Sequence, residues 1–221
     1  MTMSDKNWSD TERFDNKAAE WDANAVRAAL ADSVARAIIA HMPVAKPANA
    51  LEFGCGTGLV TTRIAPHCAQ LTALDSSSEM LRMLGEKIAA ASIANVRLLL
   101  LDFSRPEAAA GLDRNYDFVC SSMTLHHIPD TASFLRELFG HMSPGGTLAM
   151  ADLDAEDGLF HDDATEKVHH GFDREVLKTL LESAGFTSVS FMTAHVIEKK
   201  NREGNLSSYP VFLVTALKPK A

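Results

Sequence analysis

Cysteine is scarce in this chain. Its three residues, Cys55, Cys68 and Cys120, form an odd set without the paired spacing of a metal site or a disulfide framework, a pattern that reads as reduced thiols in a cytoplasmic protein. Long apolar runs are missing too. Nowhere do about twenty apolar residues follow one another, so no membrane span is expected, and Met1 to Lys6 lacks the apolar stretch of an export signal. Positive charge is in deficit: Lys+Arg 21 stand against Asp+Glu 29, a formal charge of −8. Such a surface repels phosphates, and nucleic acid would need a local basic patch. The short candidate, Lys199-Lys200-Asn201-Arg202, lies between two strand-like runs and reads as a solvated hairpin tip. No pair of histidines at helical spacing comes with a matched carboxylate, so no metal is expected. Repeats and low-complexity linkers are absent, and 221 residues suit one domain over 1–221.

What is present concentrates near position 55. A strand-like run, Ala48 to Phe53, empties into Gly54-Cys55-Gly56-Thr57-Gly58, and Leu59 to Ala65 behind it can start a helix. Glycine serves where the backbone takes positive φ or where a ligand approaches too closely for a Cβ, so three in alternation describe either a structural turn or a loop shaped around something. The first N–H groups of a following helix would face the same space. A second apolar run, Leu71 to Leu74, closes on Asp75, roughly twenty residues after the first glycine, where a nucleotide ribose finds its hydroxyl acceptor. Together these features predict a nucleoside-cofactor site.

The dinucleotide fingerprint needs its third glycine at position 59, where this chain has Leu59. The spacing is GxGxG, and the string LEFGCGTGLVT resembles the first motif of class I S-adenosylmethionine-dependent methyltransferases. Further strings follow in the family's order: LTALDSSSEML from Leu71, VRLLLLDF from Val96, YDFVCSSMTLHHIPD from Tyr116 and SPGGTLAMAD from Ser143. The amino-terminal Phe14 to Asp22 is similar to a segment that folds over the cofactor in the small-molecule, ubiquinone-biosynthesis-like group. The resemblance implies S-adenosylmethionine as cofactor, with Gly54, Gly56 and Gly58 forming its loop. Glu52 would meet the methionine ammonium, Asp75 the ribose hydroxyls, Ser76 and Met80 the adenine, Asp102 its amino group and Phe103 its ring. Ser121 at the fourth strand end and Trp21 in the amino-terminal segment complete the implied cofactor set. Trp21 stands where relatives often have tyrosine; an indole offers a bulky face and one N–H donor in place of a phenol. Phe14 and Trp21 also stand seven positions apart, and that interval alone permits simple packing onto a core.

Around these strings strands alternate with helices. Helical spacing runs from Asp10 to Met42; further helices are expected from Leu59 and over Ser78–Ala91, Thr131–Met142 and Asp173–Ala184. Strands are expected over Ala48–Phe53, Leu71–Asp75, Val96–Leu101, Phe118–Ser121 and Thr147–Asp152, and Ser188–Glu198 with Tyr209–Leu217 reads as an antiparallel hairpin at the sheet edge. Alternation of this kind predicts a parallel sheet covered by helices on both faces, with ligands at the strand carboxyl ends. The fold class is α/β, and the resemblance makes it a Rossmann-like three-layer sandwich of seven strands, mostly parallel with an antiparallel last strand. Residues 1–42 are expected to cap the site and 155–171 to form a lid insertion.

For chemistry, a methyl on a sulfonium is already electrophilic, so placing donor and acceptor in line carries much of the acceleration, and a base is needed only where the acceptor must lose a proton. His126 is the base candidate, although His126 and His127 read equally as packing; His161, His169 and His170 lie in or beside the lid insertion. The implied partner is a small-molecule acceptor, with no nucleic acid or membrane, and no NPPY-like string of base-modifying relatives follows Val119. Two rival readings stay open: a nicotinamide oxidoreductase, and a catalytically silent subunit that binds S-adenosylmethionine.

Overall fold

The computed structural model describes residues 11–43, 45–102, 112–113 and 115–220. Its strands are β1 (Ala50–Phe53), β2 (Leu71–Asp75), β3 (Val96–Leu100), β4 (Tyr116–Ser122), β5 (Met142–Leu153), β6 (Thr187–Lys200) and β7 (Leu206–Leu217). Its helices are α1 (Thr11–Lys17), α2 (Ala25–Ala40), α3 (Thr61–Ile64), α4 (Ser78–Ala90), α5 (Thr131–His141) and α6 (Arg174–Ala184). The strands form one sheet in the order β3-β2-β1-β4-β5-β7-β6. Neighbours from β3 to β5 are parallel, and β7 alone runs the other way, against both β5 and β6. The α/β sandwich with an antiparallel last strand is thus present, with the closing hairpin inserted so that β6 forms the edge. Strand order reverses between β1 and β4, and such a switch point opens a crevice beyond the carboxyl ends of those two strands.

Every residue of β1 and β2 is buried, as parallel strands covered on both faces require. On one face Leu51, Phe53, Leu148 and Val214 pack with Phe134 and Leu138 of α5 and Leu177 and Leu181 of α6. On the other, Ala50, Leu71, Phe118 and Leu213 meet Val34 and Ile38 of α2 and Ile64 of α3, while Leu81 and Leu84 of α4 close over Ala73. Each such large side chain contributes about 1.5–3 kcal/mol of burial. The ends are set locally. Ser77 caps α4 by accepting from the Met80 N–H at 3.1 Å; Asp173 caps α6 through the Glu175 and Val176 N–H groups, and Gly185 stops it in the left-handed region.

Two expectations are corrected. The helical run expected over 10–42 is broken: α1 passes into a 3-10 turn over Ala18–Ala23, and α2 starts afresh where the Asn24 side chain accepts from Val26 N–H at 2.9 Å and Arg27 N–H at 3.2 Å. The helix expected from Leu59 shrinks to Thr61–Ile64 followed by a 3-10 turn over Ala65–His67, because Pro66 has no N–H to continue the helical ladder. Pro144-Gly145-Gly146 lies inside β5, where the pairing with β4 jumps from Tyr116↔Met142 to Phe118↔Thr147. Residues 155–171 contain no helix or strand.

Candidate active site

A cavity of about 490 Å³ occupies the crevice, within the size range of small-molecule sites. Its floor is the glycine loop. Cys55 N–H donates to the Leu74 carbonyl at 3.0 Å, tying the turn to β2, and Gly54, Gly56 and Gly58 all take positive φ, at 65°, 53° and 84°. One carboxylate fastens loop to strand end: Asp75 Oδ2 accepts from Gly56 N–H at 2.8 Å, and Oδ1 from Ser77 N–H at 2.9 Å. Burial raises the Asp75 carboxyl above its ordinary value while these backbone donors pull it down. A carboxylate offers about four lone-pair positions, so two donors leave acceptor capacity for ligand hydroxyls.

The loop residues divide by role. A Cβ built on Gly56 meets no atom within 4 Å, and the residue lines the cavity, so the space left open is available to a ligand. A Cβ on Gly58 would fall 2.2 Å from Leu84 Cδ1, and Gly58 is outside the cavity wall. Its part in the structure is close packing of loop on α4. The Ser121 hydroxyl donates to the Phe53 carbonyl at 2.9 Å across the sheet, and the next residues, Ser122, Met123 and Thr124, line the cavity. Gly54, Ser76, Met80, Asp102 and Trp21 all line the cavity. Phe103 lies outside the described residues.

Glu52 is 1% exposed on the same wall, and its Oε2 has no hydrogen-bond partner among the described residues. Burial pushes its carboxyl up to about 8, and the neighbouring Asp75 charge adds to the shift. A buried carboxylate oxygen without a donor is costly unless a cation or donor arrives, so the position fits a ligand ammonium. The residues present therefore fit a molecule that carries both hydroxyls and a cationic group.

The amino-terminal elements cover this floor. Asp15 accepts from the Ser77 hydroxyl and from Glu79 N–H at 3.2 Å; Asp22 accepts from the Thr57 hydroxyl at 2.6 Å and pairs with Lys87. Phe14 and Trp21, 6.0 Å apart between ring centroids, both face the cavity, so their seven-residue interval builds a ligand wall.

Beyond the loop the cavity ends in side chains from distant segments. His126 Nδ1 lies 2.6 Å from Asp152 Oδ1, and both residues are buried. Asp152 also accepts from the N–H groups of His126 at 3.2 Å and Leu153 at 2.7 Å, so it is an acceptor throughout and fixes the imidazole hydrogen on Nδ1. Nε2 is then the lone-pair nitrogen. His127 stacks 4.2 Å from the His126 ring, and burial first, with the neighbouring His126, His161 and Arg13, holds it well below its ordinary pKa. His161, 5.2 Å from the His126 ring, places Nδ1 2.9 Å from Glu166, which also pairs with Arg13. Burial alone would raise Glu166, but the hydrogen bonds from His161 and Arg13 outweigh it and hold the carboxyl at about 2.

The other histidines of the insertion are apart from this group. His169 Nε2 sits 2.9 Å from the Ile128 carbonyl, and its N–H donates to the His126 carbonyl at 2.8 Å, a structural role. His170 is exposed. Lys199 departs from the solvated-tip reading: it lines the cavity, donating to the Phe160 carbonyl at 2.7 Å and to Asp162 at 3.0 Å. Among the described residues no cluster of three metal-binding side chains forms, and no helix is long and apolar enough to cross a membrane.

Sequence reasoning missed Asp152 as the partner of His126, and Arg13, Arg27, Phe160 and Glu166 as wall. For Asp152 a signal existed, an acid at the carboxyl end of a parallel strand. The others carry none, since their meeting depends on how two irregular segments fold back.

A family model described as a methyltransferase domain matches residues 23–190. An uncharacterized methyltransferase of Schizosaccharomyces pombe is 30% identical over 150 residues, covering 62% of this chain and 53% of the relative. A trans-aconitate 2-methyltransferase of Methylobacterium radiotolerans is 34% identical over 116 residues, covering 51% of this chain and 41% of the relative. The chain thus spans about half the length of the curated relatives it matches. Among solved structures, the N-methyltransferase NodS of Bradyrhizobium japonicum in complex with S-adenosyl-L-homocysteine has a TM-score of 0.69 at 17% identity, covering 95% of this chain and 98% of that one. At that identity the likeness carries the fold.

Proposed function

Since the chain belongs to the methyltransferase-domain family, we propose that it transfers a methyl group from S-adenosylmethionine to a small-molecule acceptor by in-line displacement, leaving S-adenosylhomocysteine. The observation that carries the reading is a single cavity joining the Gly56–Asp75 floor and the unpaired Glu52 oxygen to the carboxylate-bound imidazole of His126. Small acceptors agree with relatives named for acting on trans-aconitate and demethylmenaquinone.

When bound, S-adenosylmethionine supplies a methyl on positively charged sulfur, an electrophile that needs no metal or further activation. In this reading Asp75 holds the ribose hydroxyls with the lone pairs its backbone donors leave free, and Glu52 balances the methionine ammonium. Asp102, Ser76 and Met80 border the adenine. Residues 11–42 and 155–171 serve as cap and lid, with Phe14, Trp21 and Phe160 excluding water from the space where the acceptor must approach. His126 Nε2 takes the proton of an acceptor O–H or N–H, while Asp152 holds the tautomer and stabilises the imidazolium that forms.

The nicotinamide alternative loses its ground with the family match and with Leu59 at the fingerprint's third glycine position. The test is formation of S-adenosylhomocysteine from S-adenosylmethionine across a panel of small acids, amines and phenols, beside titrations of both cofactors. Turnover with at least one acceptor is expected. Binding without turnover across the panel would favour the silent subunit, and binding of NADH alone would overturn the proposal.

A further inference from the structure

Arg27 stands in the first turn of α2, on the wall of the cavity. Its guanidinium carbon lies 3.9 Å from the centre of the Trp21 ring, a cation–π contact. Among the described residues it has no carboxylate within ion-pair distance. The acid that acts on it, Asp162, is already held by Lys199 at 3.0 Å and is largely solvated, while Arg13 opposes it with like charge. Burial lowers the Arg27 pKa, the strain of a partly desolvated cation without a matched anion.

A second group at the same end is also incomplete. His161 Nε2 is buried with no hydrogen-bond partner among the described residues, while its Nδ1 is engaged by Glu166. Because Glu166 is an acceptor, Nδ1 carries a hydrogen, and in the neutral ring Nε2 then presents a lone pair to an O–H or N–H. A chain of ring contacts links the two sites: Trp21 to Phe14 at 6.0 Å, Phe14 to His127 at 5.2 Å and His127 to His161 at 6.1 Å. These rings give the cavity wall between the two groups a partly apolar surface.

We infer that the acceptor is a small organic anion, whose carboxylate pairs with Arg27 while an O–H or N–H elsewhere in the molecule is received by His161. The inference deepens the proposed function and rests on it. Arg27 sets specificity for the anionic group; of the other cations on the cavity wall, Arg13 and Lys199 already have partners.

The experiment first measures S-adenosylhomocysteine binding by calorimetry, which tests the cofactor reading by itself. Protein saturated with that ligand is then titrated with matched pairs of hydroxy- and amino-substituted aromatic and aliphatic carboxylic acids and their primary amides, and turnover with S-adenosylmethionine is followed on the same pairs. At least one acid is expected to bind and turn over, with its amide weaker by about tenfold or more, the worth of one charge-assisted pair. Arg27→Gln should raise KM for that acid by about tenfold with a smaller change in kcat, leave KM for the amide unchanged, and keep S-adenosylhomocysteine affinity as the control for folding. Arg27→Lys should recover part of the loss. If S-adenosylhomocysteine binds but no acid of the series does, if acids and amides are used alike, or if Arg27→Gln leaves KM for the acid in place, the anionic-acceptor assignment is wrong while the cofactor reading stands.

Discussion

The two ends of the cavity are built on opposite principles. At the proposed cofactor end the groups stand on a glycine loop and on successive strand ends, all set by regular elements: the loop from Gly54 to Gly58 and the Asp75 carboxylate that accepts its Gly56 N–H. At the acceptor end they are side chains from separate segments: Arg13 and Arg27 before the first strand, His126 after β4, Asp152 at the end of β5, His161 and Glu166 from the irregular insertion. Backbone geometry set by glycine spacing is stereotyped, whereas a side-chain constellation can be rebuilt by changing any one segment. One end can stay fixed while the other changes its ligand.

That contrast has measurable edges. The largest effect is expected at the acceptor end: His126→Asn should lower kcat by about 10²- to 10⁴-fold for an acceptor that must lose a proton, with S-adenosylhomocysteine affinity within a few-fold of the parent. A pre-ionised analogue of the same acceptor should recover most of the rate. If both acceptors lose activity equally, His126 is packing and the two ends are not separable.

Next in size is the division inside the glycine loop. Gly58→Ala forces a Cβ against Leu84 at positive φ and should cost about 2–4 kcal/mol of stability, read from urea unfolding. Gly56→Ala, which meets no atom, should cost about 1–2 kcal/mol in stability and show its larger effect on cofactor affinity. Equal stability losses would remove the distinction between a packing glycine and a ligand-facing one.

A third effect is a pH dependence confined to the cofactor end. Glu52 is raised in the folded state from 4.5 to about 8, so between those values the native state binds more protons than the unfolded one. Its contribution therefore makes the ligand-free protein lose stability as pH rises through that window. Glu52→Gln should flatten that part of the profile, and saturating S-adenosylhomocysteine, whose ammonium pairs with the carboxylate, should flatten it in the parent protein. Thermal unfolding across pH 5 to 8 reads both outcomes; a parent profile unchanged by either would show that Glu52 is not the buried group assumed.

The same contrast explains what was legible in the sequence. Parallel strands are continuous apolar runs ending in a turn or an acid, so Leu71–Asp75 could be delimited to the residue, and the alternation with helices fixed the class. Boundaries failed where a local device overrode periodicity. Asn24 restarts a helix inside an unbroken helical pattern, and Pro66 cuts one short. At the site, Glu52, Gly56, Asp75, Asp102 and Met80, named from the resembling strings, do line one cavity, because those strings lie at strand ends and in the turns that follow them. Ser121 and Gly58 lie off the cavity wall, which linear spacing does not show: the Ser121 hydroxyl turns to the Phe53 carbonyl and Gly58 packs on Leu84. Glu166 and Arg27 were invisible because nothing in a linear pattern says that residues 139 positions apart line one cavity.

The central claim is that the loop around Gly56 and the Asp75 carboxylate hold the adenosyl part of S-adenosylmethionine. Isothermal calorimetry of S-adenosylhomocysteine on the parent protein and on Asp75→Ala tests it most directly. Saturable one-site binding is expected, with affinity lost by about a hundredfold or more in the variant, as befits two hydrogen bonds to a charged acceptor. No heat of binding in the folded parent, or equal affinity in a folded Asp75→Ala, would contradict it.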